Sequence, residues 1–138
     1  MDVNLLMKSL DNEKNENIFN YTSEKIIKFN TEILKTLHID DSLIGEYLKK
    51  LKYYIYLDEI HCLKEGSYLK WINITSDNLN LSKGGIFCKI KIVDAGIILV
   101  CKGLTNRFFQ LKFDDYLIFQ KITKQEEVLL HALDILSE

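Results

Sequence analysis

Between Gly66 and Lys121 the chain is cut by turn signals into five short segments, and this punctuation constrains the fold more than any other feature. The segments are residues 67–74, 86–93, 97–102, 107–113 and 116–121. Each is rich in β-branched and aromatic residues and shorter than an ordinary helix. The breaks are chemically explicit. Asp94-Ala95-Gly96 supplies a hairpin turn in which Gly96 can take positive φ, and residues 103–106 supply a second. Asp114-Asp115 joins the last two segments, and residues 75–85 form a long polar loop ending in Gly84-Gly85. About five strands in meander order are too few for a sandwich, so they predict a small antiparallel SH3-like β-barrel.

The flanking sequence is helical. Thr22 is placed to cap a helix whose apolar stripe is Ile26, Phe29, Ile33, Leu34 and Leu37. A second helix starts at Asp40, Asp41 or Ser42 and carries Leu43, Ile44, Tyr47, Leu48 and Leu51 on one face. Its acids lie early and Lys49, Lys50 and Lys52 late, which suits the helix dipole. Thr123 and Glu126 have the spacing of a capping box for a last helix, with Val128, Leu129, Ala132, Leu133 and Ile135 on its apolar side. Residues 53–63 fit either state and read as extended after Tyr54, completing the barrel. The expectation is one α+β domain, 1–138. It has a flexible or loosely packed start (1–21), a helical hairpin (22–53), a barrel (54–121) and a C-terminal helix (122–138).

A chain of 138 residues can bury a core of its own. It holds no run of 18 apolar residues, and its first ten lack the basic start of a secretory signal, so a soluble intracellular protein with no membrane association is expected. Cys62, Cys88 and Cys101 are odd in number and scattered. Cys88 and Cys101 fall in strands and read as small buried hydrophobes, a cross-strand disulfide being the other reading.

Catalytic patterns are missing. His38, His61 and His131 show no metal spacing, and His61 and Cys62, if in a strand, would point to opposite faces. No nucleophile elbow is present, the adjacent carboxylate pairs read as caps and turns, and Ser82-Lys83-Gly84-Gly85 lacks the phosphate-loop pattern. The expectation is therefore no enzyme, no metal and no cofactor. A thiol enzyme would need a cleft gathering His61, Cys62 or the Asp114-Asp115 turn.

Charge is unevenly distributed. Residues 1–60 carry 8 Lys and 11 acids (net −3), residues 61–121 carry 9 Lys and Arg and 5 acids (net +4), and residues 122–138 carry 1 Lys and 4 acids (net −3). Strand alternation puts Phe87, Lys89 and Lys91 on one face, against Cys88, Ile90 and Ile92. It likewise turns Phe108, Gln110 and Lys112 outward and Phe109, Leu111 and Phe113 inward. The candidate binding residues are Lys70, Phe87, Lys89, Lys91, Arg107, Phe108 and Lys112, rings and cations that suit bases and phosphates. Tyr68 and Trp71 can join them, Trp71 reading as a core anchor of its strand with an exposed binding ring as the other reading.

Four runs carry a resemblance: Lys64-Glu65-Gly66-Ser67-Tyr68-Leu69-Lys70-Trp71-Ile72, Leu81-Ser82-Lys83-Gly84-Gly85-Ile86, Phe109-Gln110-Leu111 and Tyr116-Leu117-Ile118-Phe119-Gln120-Lys121. In turns and aromatics they resemble small uncharacterised proteins of large eukaryotic DNA viruses, over less than half of the chain. The resemblance implies a viral protein in the host cytoplasm or the virion. Two functions fit the residues. The first is a non-enzymatic binding or structural module working through protein–protein contacts in a larger, viral assembly. The alternative is a nucleic-acid-binding small barrel that holds DNA or RNA on the basic, aromatic sheet face.

Overall fold

The computed structural model describes residues 3–11 and 21–137. Their helices are α1 (Val3–Asp11), α2 (Ser23–Lys35), α3 (Asp41–Lys50) and α4 (Lys124–Leu136). Their strands are β1 (Tyr54–Tyr56), β2 (Tyr68–Asn73), β3 (Gly85–Val93), β4 (Gly96–Gly103), β5 (Phe108–Lys112) and β6 (Tyr116–Lys121). Single 3-10 turns lie at Ile60–Cys62 and Phe113–Asp115.

Local chemistry fixes the helix starts. Thr22 Oγ1 accepts the Lys25 N–H at 3.3 Å, which satisfies one of the free donors of the first turn of α2. At α4 the capping box closes both ways: Thr123 Oγ1 accepts from the Glu126 N–H at 3.1 Å, and Glu126 Oε1 accepts from the Thr123 N–H at 3.0 Å. The start of the chain, expected to be loosely packed, contains α1, whose Leu6 reaches the apolar cluster of Ile26, Ile122, Leu129 and Leu130. Residues 12–20 of that start lie outside the described residues.

The fold is α+β, with one antiparallel six-stranded sheet in the order β1-β6-β2-β3-β4-β5. The strand expected after Tyr54 is present as β1, paired on β6, and brings the number to six. The expected closed barrel is corrected: the sheet is not closed, because β1 and β5 are its two edges. Its weakest junction lies between β2 and β3. β2 pairs with β3 only through Tyr68–Ile86 and Leu69–Gly85. Beyond that point the end of the long loop takes the place of β3. Trp71 donates its N–H to Ser82 Oγ at 3.0 Å and accepts from the Ser82 N–H at 2.9 Å, and Ile72 bridges to Leu81. Gly84, at φ +91°, makes this departure feasible, since a Cβ there would run into the Leu69 carbonyl oxygen.

The sheet nevertheless curls, and Trp71 of β2 meets Phe109 of β5 with ring centres 5.9 Å apart. Its inner face packs Leu69, Trp71, Phe87, Leu99, Cys101, Leu111 and Ile118. The outer face is covered at the β1-β6-β2 end, where α2 and α3 lay Leu34, Ile44, Tyr47 and Leu51 on Ile72, Leu117 and Phe119. Over β3, β4 and β5 no helix among the described residues packs on the outer face. Among the described residues, no helix is long and apolar enough to cross a membrane.

Candidate functional site

Six charged residues lie within the strands, and all are lysines: Lys70, Lys89, Lys91, Lys102, Lys112 and Lys121. Residues opposite each other in register share a face. Lys102 lies opposite Ile86 and Phe108, Lys89 opposite Val100, and Lys91 and Lys112 both opposite Ile98. Across β2, Ile86 lies opposite Tyr68, two residues from Lys70. Lys70 in turn is opposite Phe119, two residues from Lys121. The register therefore puts all six lysines on the outer face, and the inner face has no charge.

A β-bulge makes this segregation possible. Phe87 lies opposite Cys101 but Lys89 lies opposite Val100, so Cys88 is an extra residue in β3. Plain alternation would have placed Phe87, Lys89 and Lys91 together. The bulge reverses the phase, sending Phe87 into the core, where it is 5% exposed, while both lysines stay outside. The expectation that Phe87 belongs to the basic face is thereby corrected. Lys70, Lys89, Lys91, Phe108 and Lys112 share the face, and Arg107 is exposed in the β4–β5 turn just before β5. Trp71 lies in the inner core.

The face is cationic without internal compensation. None of the six lysines, nor Arg107, has a carboxylate within 4.0 Å among the described residues. Instead three of them sit over rings: Lys70 Nζ is 5.0 Å from the centre of Tyr54, Lys121 Nζ 5.9 Å from Tyr68, and Lys102 Nζ 6.0 Å from Phe108. Burial, followed by the charges of Lys50 and Lys121, lowers the Lys70 ammonium below its ordinary value. Two of the rings face solvent, Phe108 at 63% and Tyr68 at 46% exposure.

Lys102 and Lys121 were not legible as members of this face, because their side is fixed by the pairing of β4 with β5 and of β6 with β2, which the sequence of neither strand states. The bulge at Cys88, which turns Phe87 inward, has no glycine beside it to mark it.

Two other places carry chemistry. The 3-10 turn Ile60–Cys62 gathers Glu59, His61 and Cys62, which strand alternation would have kept apart. Cys62 Sγ is 3.6 Å from His61 Nε2, and His61 Nδ1 is 3.2 Å from Glu59 Oε2. The order thiol–imidazole–carboxylate is that of an activated nucleophile. The surroundings oppose that role. Burial, then Glu59 and Asp58, push the Cys62 thiol up, with Lys64 only partly offsetting them, and the His61 and Glu59 side chains are 72% and 62% exposed. The second place is a groove of about 500 Å³ between α2, α3 and α4, floored by Ile26, Leu51 and Leu130 and rimmed by Ile27, Leu48 and Tyr53. One end is closed by Asp134, whose carboxylate accepts the Ser23 N–H at 2.7 Å and the Ser23 hydroxyl at 2.6 Å.

Comparison with protein-family models, with curated proteins and with solved structures finds no match for this chain.

Proposed function

We propose that the protein is a non-enzymatic binding module that holds the phosphate backbone of a nucleic acid on the outer face of β3, β4 and β5, with Lys70 and Lys121 at its border. The observation that carries the reading is the one-sided placement of every strand charge: six lysines, no acid, and, among the described residues, no ion pair to neutralise them. Cations left unpaired on a folded surface repel one another, and a polyanion removes that cost while releasing its own counterions. Exposed rings among the cations favour bases over the headgroups of an anionic membrane. The strand order β6-β2-β3-β4-β5, with a 3-10 turn leading from β5 to β6, supports as the scaffold an SH3-like barrel left open at its edges.

The test is binding of labelled oligonucleotides over a range of salt. Affinity that falls steeply as salt rises, and that is lost in Lys89→Glu/Lys91→Glu with the fold intact, supports the reading. Absence of binding at low salt, or binding of anionic vesicles alone, overturns it.

A second reading rests on the apolar groove between α2, α3 and α4, which suits a protein partner in a larger assembly. The sequence alone ranks this protein-contact reading first. We rank the nucleic-acid reading above it, supported by the gathering of the lysines on one face.

A further inference from the structure

One line across the strands joins the rings and cations of the basic face. Phe108 of β5 lies opposite Lys102 of β4, Lys102 opposite Ile86 of β3, and Ile86 opposite Tyr68 of β2. Lys121 of β6 continues the line, with its ammonium over the Tyr68 ring at 5.9 Å. The order is ring, cation, aliphatic side chain, ring, cation. Counted along the curved sheet, three strand spacings of about 4.8 Å, roughly 14 Å in all, separate the backbones that carry Phe108 and Tyr68.

We infer that the ligand of this face is single-stranded nucleic acid, running across the strands along that line, with bases stacked on Phe108 and Tyr68 and phosphates met by Lys102 and Lys121. The inference rests on the basic-face reading and deepens it. Rings 63% and 46% exposed gain nothing from a duplex, whose bases are already stacked on one another and turned inward. An unpaired strand offers both what the rings take and what the lysines take, without unstacking a helix first.

Anisotropy titrations of the whole chain with a labelled homopolymeric single strand and with a duplex of equal length test this. Phe108→Leu and Tyr68→Leu are the variants, since both rings are exposed and leucine keeps the strand apolar; circular dichroism confirms the fold. The inference expects the single strand to bind at least tenfold tighter than the duplex at the same salt. Each ring variant should lose about tenfold for the single strand, with an unchanged salt slope and unchanged duplex binding. Equal affinity for both forms, with the ring variants silent and the salt slope steep, overturns the single-strand inference and leaves the basic face standing. No binding of either form at low salt overturns both.

Discussion

Asn30 donates its side-chain N–H to the backbone carbonyl of Tyr54 at 2.8 Å, so a buried residue of α2 completes the hydrogen bonding of an edge strand. The same amide accepts the Tyr56 N–H on its oxygen at 3.0 Å. β1 has a partner only on its β6 side, and Asn30, 2% exposed, takes the role of a neighbouring strand for it. Asn30→Leu leaves two backbone groups without partners in a dry place. We expect a loss of about 2–4 kcal/mol in urea unfolding, with amide exchange accelerated first in β1.

Lys64 and Glu126 give a second test. Lys64 Nζ reaches Glu126 Oε1 at 2.9 Å, tying the β1–β2 connection to the first turn of α4. Glu126 also closes the capping box and its side chain is only 7% exposed. Glu126→Gln keeps an acceptor for the Thr123 N–H and removes the charge, whereas Glu126→Ala removes both. The alanine variant should lose about 2–4 kcal/mol and the glutamine variant distinctly less. Equal losses would show that the cap contributes nothing.

Removal of Cys88 probes the bulge. Deleting the extra residue restores a plain ladder in which Phe87 still faces the core and Lys89 and Lys91 still face out. The deletion should therefore fold, at a cost of about 1–2 kcal/mol, and should bind oligonucleotides as the parent does. Replacing Cys88 by Ala keeps the bulge and should be nearly silent in both assays.

Stability should decline in alkali. Burial, with a smaller contribution from Cys88, pushes the Cys101 thiol up to about 12, from an ordinary value of 9.0. Between these pH values the native state keeps a proton that the unfolded chain has lost, so rising pH favours unfolding. Tyr21, Tyr54 and Tyr56 are also raised, mainly by burial, and act in the same sense from about pH 10 upward. The urea midpoint should fall above pH 9, with a shallower fall in Cys101→Ala. Thiol labelling at neutral pH should modify Cys62 and spare Cys101, which is fully buried.

What could be read from the sequence followed from local chemistry. Thr22, Thr123 and Glu126 announced two helix starts, and Gly96 the β3–β4 turn, because each satisfies a requirement of its own few residues. The outward set Phe108, Gln110 and Lys112 followed from alternation in a strand with no irregularity. Phe87 did not, since a bulge depends on the fit of β3 to β4 and to the core, which no neighbour of Cys88 encodes. The short ladder between β2 and β3 depends likewise on Ser82 winning Trp71 from β3, a competition between segments distant in the chain. Residues Glu59, His61 and Cys62 were brought together by a single 3-10 turn in a stretch whose composition favours strand.

The brief pairing of β2 with β3 has a mechanical meaning. It divides the sheet into two plates, β1-β6-β2 braced by helices and β3-β4-β5 with no helix of the described residues on its outer side, joined at a narrow seam and clasped on the inside by Trp71 and Phe109. The line from Phe108 to Lys121 runs straight over that seam. A strand of nucleic acid laid along it would suture the plates from the outside, opposite the clasp, so that occupancy and rigidity of this molecule rise together.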